Sequence, residues 1–206
     1  MIKTLLVFDE NDTNLGDFFS LCNEELSVFF SEKNFEHEII GKNTRFDMLV
    51  PIRIKNYEKQ NFAFAAFVHG DSDNLLQSGV DPFISIAGDL SLFQNSFFYT
   101  FACEAGKTLG LELVNSGCKC FIGYKEKTHI WSGYPKPFVN TSTHGFKLFF
   151  EGENTKKIFL NMLSLYNEEI DKLYKEDFVI ASILMENRDA LVIHGEDTNL
   201  SSFEIS

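Results

Sequence analysis

Short apolar runs, separated by segments of helical periodicity, limit what this chain can fold into. Residues 61–69 (NFAFAAFVH) are apolar almost throughout, and residues 96–103 (SFFYTFAC) form a second run of the same kind. A strand that is apolar on both faces is typical of the centre of a parallel sheet covered by helices on each side. We therefore expect an α/β fold with a mostly parallel central sheet.

The remaining pattern predicts strands and helices in alternation. Helices are predicted, in chain order, over 13–31, 44–57 (interrupted by Pro51), 104–115, 154–175 and 176–186. Strands are predicted over 4–9, 36–41, 61–69, 96–103, 118–124 and 189–195, with a hairpin or extended loop over 71–89 and a loop over 125–145. The strand, helix, strand order across 61–124 indicates a βαβ unit. With no linker or repeat in the chain, we predict one domain over 1–206.

Charge and cysteine content exclude several classes of function. The 18 basic and 30 acidic residues give a net charge of −12, which disfavours nucleic acid and anionic membranes as partners. No run of apolar residues is long enough for a transmembrane helix, and the first residues do not resemble a secretory signal. Four cysteines in such a chain suggest a reducing, cytoplasmic compartment.

No cofactor or metal is expected from the motifs. Cys118 and Cys120 are separated by one residue, and no second cysteine pair completes a zinc site. The chain has neither a GxGxxG nor a P-loop motif. The 23 phenylalanines are interpreted as the apolar scaffold of the core rather than a cofactor groove.

Two residues with nucleophile chemistry end the two apolar runs. His69 ends the first and is followed by Gly70, and Cys103 ends the second. Ligands of open α/β sheets bind beyond the carboxyl ends of the strands, so neighbouring strands would bring these side chains together. A thiol beside an imidazole supplies a nucleophile and a base. If a helix starts at residue 104, its N-terminus would also lower the pKa of the Cys103 thiol.

The segments Phe67-Val68-His69-Gly70 and Phe101-Ala102-Cys103-Glu104-Ala105-Gly106 resemble the clan CD cysteine peptidases, and most closely the caspase-like CHAT subfamily. The resemblance implies a caspase–haemoglobinase three-layer sandwich, a dyad of His69 as general base and Cys103 as nucleophile, and an oxyanion hole of the Gly70 and Cys103 amides. Related metacaspases place an aspartate just ahead of the cysteine. Here Thr100, Phe101 and Ala102 stand in that region, so the resemblance implies no preference for a basic residue by that route.

Other polar and aromatic residues near the strand ends are weaker candidates. Asp71, Glu104 and Trp131 are predicted substrate contacts, although turn formation explains Asp71 equally well and packing explains Trp131 equally well. His129 and His144 fall in the predicted loop. His194 is interpreted as structural, because no second cysteine accompanies it.

The resulting hypothesis is a cysteine endopeptidase that cleaves a protein or peptide, activated by a partner protein, with a bacterial defence or stress pathway as its setting. Two alternatives stay open at this point. One is a catalytically silent caspase-like binding module, and the other is a different Cys–His hydrolase on an α/β sheet.

Overall fold

The computed structural model describes residues 2–57 and 60–204. Its strands are β1 (Lys3–Phe8), β2 (Glu38–Ile40), β3 (Phe62–Phe67), β4 (His69–Gly70), β5 (Asn74–Gln77), β6 (Asp81–Ser85), β7 (Ser96–Phe101), β8 (Cys120–Tyr124) and β9 (Leu191–Gly195). Its helices are α1 (Gly16–Lys33), α2 (Phe46–Lys55), α3 (Leu109–Asn115), α4 (Lys136–Phe150), α5 (Thr155–Tyr174), α6 (Phe178–Ala190) and α7 (Leu200–Glu204), with a 3-10 helix at Leu90–Phe93.

A six-stranded sheet forms the centre, in the order β2-β1-β3-β7-β8-β9. Neighbouring strands are parallel except β9, which runs antiparallel to β8 at the edge. One face packs on α1, α4, α5 and α6, and the other on α2, α3 and the β5–β6 hairpin. The expected three-layer α/β sandwich is confirmed.

Strands β3 and β7 lie at the middle of the sheet and explain the phenylalanine content. Every residue of both strands is buried. Phe64 and Phe98 point to one apolar layer with ring centroids 4.7 Å apart, whereas Phe97 stacks on Phe149 of α4 at 4.1 Å on the other face. Burying one such ring contributes about 1.5–3 kcal/mol to the stability of the fold. The two strands are therefore a stable support for His69 and Cys103, which follow them.

The helix after Cys103 starts later than predicted. Residues 103–108 form turns, and α3 begins only at Leu109. Glu104 has a φ of 57°, a left-handed conformation that a right-handed helix cannot contain. Gly106 donates its N–H to the Tyr124 carbonyl instead of starting a helix. The periodic apolar residues were a correct sign of α3, but tertiary contacts delay its start.

The predicted loop over 125–145 is shorter than expected, because α4 starts at Lys136. Pro135 and Pro137, interpreted as loop residues, lie at the helix start, where proline is well tolerated because the first N–H groups need no helical partner. His144 therefore belongs to α4, and partial burial lowers the pKa of its imidazole. The prediction that His144 lies in a loop was wrong.

None of the helices within residues 2–57 and 60–204 combines the length and the apolar character that spanning a membrane requires.

Candidate active site

The register of β3 and β7 brings the two predicted catalytic residues side by side. Phe67 pairs with Phe101, and the Val68 N–H continues the ladder to the Phe101 carbonyl at 3.2 Å. His69 and Cys103 lie two residues beyond this pair, so both predicted strands end earlier than expected. His69 opens β4, which forms a separate three-stranded sheet with β5 and β6, and Cys103 lies in the turn after β7. The Phe19 ring of α1 lies 6.1 Å from the His69 ring, so the imidazole lies on the α1 side of the sheet. The expected adjacency of the two strands is confirmed.

Gly70 fits between the two strand ends. A Cβ on residue 70 would lie 2.8 Å from the Cys103 carbonyl oxygen and 3.2 Å from that of Asn74. Real Cβ atoms essentially never come within 3.0 Å of such an oxygen, and 3.2 Å is tighter than most real contacts. The missing side chain therefore makes room for the backbone that carries the thiol.

The imidazole of His69 has a carboxylate partner. Its Nε2 lies 3.1 Å from Oδ2 of Asp12, and only 5% of the Asp12 side chain is exposed against 24% for His69. Oδ1 of Asp12 accepts the N–H groups of Asn14 and Leu15 at 2.9 and 2.7 Å. Burial raises the pKa of Asp12, but these amides and the His69 ring outweigh that effect and hold the pKa below its usual value.

Asp9, at the end of β1, is a second carboxylate beside this pair. It is 1% exposed; one oxygen accepts the Ser78 N–H, and Oδ1 has no hydrogen-bond partner among the described residues. Burial raises the pKa of Asp9, and the neighbouring Asp12 charge raises it further, against the opposing effects of the Ser78 N–H and His69. A buried carboxylate with an unused oxygen destabilises a fold, which is typical of functional sites rather than of cores.

The thiol of Cys103 contacts the segment after β8. The Thr128 N–H lies 3.4 Å from Sγ, and Sγ is 3.5 Å from the Thr128 hydroxyl oxygen. The Glu104 N–H donates to the Glu126 carbonyl at 3.1 Å, and this bond holds the segment beside the turn that contains Cys103. In the part of the chain that the structure describes, the thiol has no hydrogen bond to His69. The two side chains share one edge of the sheet, each held by its own partner.

One buried side chain of α6 also holds the segment that contacts the thiol. Asn187, buried in α6, accepts the His129 N–H at 2.9 Å and donates to the His129 carbonyl at 2.7 Å. The His129 ring itself is half exposed and 4.0 Å from Glu186. We call residues 125–134 the covering segment.

The other three cysteines lie in the core. Cys22, Cys118 and Cys120 are buried free thiols, and burial raises the pKa of each, to about 12 for Cys118 and Cys120. Cys103 is the one that reaches solvent in part. The expectation that a helix N-terminus activates it is wrong, because α3 begins at Leu109 and the thiol precedes it by a full turn segment.

The three predicted substrate contacts differ in their surroundings. The Asp71 carboxylate accepts the N–H groups of Asp73 and Asn74 at 2.8 Å, and so builds the turn before β5. Glu104 pairs with Lys107 at 2.6 Å. Trp131 is 46% exposed on the covering segment, where its ring is open to a ligand.

His194 packs as predicted for a structural residue. Its Nε2 lies 2.8 Å from the Gly106 carbonyl, and its ring stacks on Phe121.

Asp9, Asp12 and Thr128 are residues of the site that the sequence motifs did not identify. The position of both aspartates just after a buried parallel strand was the signal that could have drawn attention to them. Thr128 carries no comparable local signal.

Compared with models of known protein families and with curated proteins, the chain matches none. Among residues 2–57 and 60–204, no three His, Cys, Asp or Glu side chains gather as metal ligands would.

Proposed function

We propose that this chain is a cysteine endopeptidase that cleaves a protein or peptide with Cys103 as nucleophile and His69 as general base. The observation that carries the proposal is the pairing of β3 with β7, because His69 and Cys103 each follow one of these neighbouring strands by two residues. The core position and raised pKa of the other thiols support Cys103 as the nucleophile. The resemblance of both segments to CHAT-type peptidases supports the choice of an amide substrate.

In the reaction, His69 takes the thiol proton while Sγ forms a bond to the substrate carbonyl carbon. The imidazolium returns that proton to the leaving amine as the carbon–nitrogen bond breaks, which leaves an acyl-enzyme. Water then hydrolyses the thioester with His69 as base, and the free thiol is restored. The amides of Gly70 and Cys103 would stabilise the oxyanion, whereas the Glu104 amide is already bonded to Glu126.

The contacts between Thr128 and the Cys103 thiol support an inactive state of the isolated chain. In this proposal, a partner protein activates the enzyme by moving Thr128 away from the thiol. A substrate carbonyl needs the space beside Sγ that Thr128 occupies. We infer a cytoplasmic enzyme, in keeping with its four free thiols, acting in a defence or stress pathway.

A peptide library, incubated with the chain in the presence and absence of lysate-derived activators, tests the function. Cys103→Ala and His69→Ala should each abolish cleavage. Cys118→Ala and His37→Ala, which change the same residue types but do not follow β3 or β7, should cleave normally. Full cleavage by either site variant would overturn the proposal.

A further inference from the structure

We propose that Asp12 is the positioning residue of this site: its carboxylate holds the His69 ring in the tautomer and orientation that a general base needs. The inference rests on the proposed function and adds a third member to the pair. It follows from the partners of the two carboxylate oxygens of Asp12.

The Asp12 carboxylate has a defined orientation. Oδ1 is bound by two consecutive backbone amides, those of Asn14 and Leu15, so the carboxylate plane is fixed to the turn before α1. Oδ2 is thereby directed at Nε2 of His69, 3.1 Å away. The side chain is almost fully buried, so water competes little for this bond.

An ionised carboxylate only accepts hydrogen bonds, so Nε2 must carry the proton in this contact. The neutral ring then presents the lone pair of Nδ1, which is the atom left to take the thiol proton. When Nδ1 is protonated, the ring becomes a cation beside the Asp12 anion. The Asp12 proton count does not change in this step: the proton moves from Sγ to Nδ1.

Asp9 is the other charged group that the structure places near this pair. From the facing helix α1, the apolar Phe19 ring meets the imidazole edge-on. Asp9 makes no hydrogen bond to the ring and is held by the Ser78 amide, so it adds negative potential without setting the tautomer.

Asp12→Asn tests the role with little change of shape. The asparagine carbonyl can still accept the two turn amides, but its NH₂ group would face Nε2 and force the proton onto Nδ1. The ring would then have no lone pair toward the thiol. Asp177→Asn is the matched control, because Asp177 also accepts amides two and three residues ahead, from Val179 and Ile180.

Two measurements report on the ring and the thiol without any substrate. In ¹⁵N NMR of the full chain, His69 should be the Nε2–H tautomer and should switch to Nδ1–H in Asp12→Asn. Alkylation of Cys103 by iodoacetamide near neutral pH should slow about hundredfold or more, the usual contribution of a positioned general base, because an Nδ1–H ring cannot take the thiol proton. Asp12→Glu should recover part of the rate, and Asp177→Asn should match the parent.

An Nδ1–H tautomer in the parent protein, which needs no variant to fold, would overturn the inference. So would an alkylation rate and pH profile that Asp12→Asn leaves unchanged. Failure to find peptide cleavage counts against the proposed function alone, because neither measurement uses a peptide.

Discussion

A Cβ on residue 70 would stand 2.8 Å from the carbonyl oxygen of Cys103, so the Gly70 backbone packs closely against that carbonyl. Gly70 directly follows His69, the proposed base, and Cys103 is the proposed nucleophile. The distance between base and nucleophile therefore depends on residue 70 having no side chain.

Gly70→Ala should push the ends of β3 and β7 apart. We expect a loss of about 1–3 kcal/mol in the free energy of unfolding, the usual range for overpacking, together with a larger loss of hydrolysis. Urea unfolding and peptide cleavage measure the two effects. Gly88→Ala is the control, because its Cβ would meet only the Ser85 carbonyl, at 3.3 Å. If both variants lost the same stability and the same cleavage activity, the close packing of residue 70 against Cys103 would not be important for the site.

Iodoacetamide should label Cys103 well before the other thiols. The core thiols are buried and their pKa values are raised, to about 12 for Cys118 and Cys120, so almost no thiolate forms at neutral pH. Peptide mapping by mass spectrometry after short labelling gives the order. In urea all four thiols should react alike, and equal labelling of the native protein would argue against the burial described.

Asp9→Asn should stabilise the protein at neutral pH. The folded-state pKa of Asp9 is raised above its ordinary 3.8, mainly by burial, so the fold binds this proton more tightly than the unfolded chain does. The stability that the protonated form contributes is complete below that ordinary value and is lost as pH rises through the folded pKa. The advantage of Asp9→Asn should therefore grow with pH over this range and then level off.

Urea unfolding of both proteins at a series of pH values measures that difference. The exposed Asp89→Asn, whose carboxylate accepts the Ser91 amide, should show no such growth. A less stable Asp9→Asn at neutral pH would show that the ionised carboxylate has a partner that offsets its burial.

Asn187→Ala should loosen the covering segment. It removes both hydrogen bonds to the His129 backbone, so Thr128 should leave the thiol more often and Cys103 should be alkylated faster. Losing the two part-buried hydrogen bonds should also cost about 0.5–1.5 kcal/mol for each bond. Asn115→Ala, at an exposed position on α3, should change neither quantity. Unchanged alkylation would mean that the Thr128 contact does not limit access to the thiol.

The elements around the site could be predicted because their signals are local. The apolar runs at 61–69 and 96–103 reveal buried strands, since each residue there must avoid water regardless of its distant neighbours. The parallel arrangement of β7 and β8 follows from the helical segment between them, α3. Two local readings were wrong: the helix after Cys103 starts at Leu109, and Pro135 and Pro137 open α4 instead of marking a loop.

The sequence by itself thus determined the sandwich and the positions of His69 and Cys103 at two strand ends. Only the tertiary structure decided their partners: Asp12 for the imidazole, Thr128 for the thiol, and Ser78 for Asp9. Each of these partners is far from its target along the chain. Hydrogen bonds of this kind have no periodicity that a sequence can display, because they depend on how the strand ends and the covering segment meet after the core has packed.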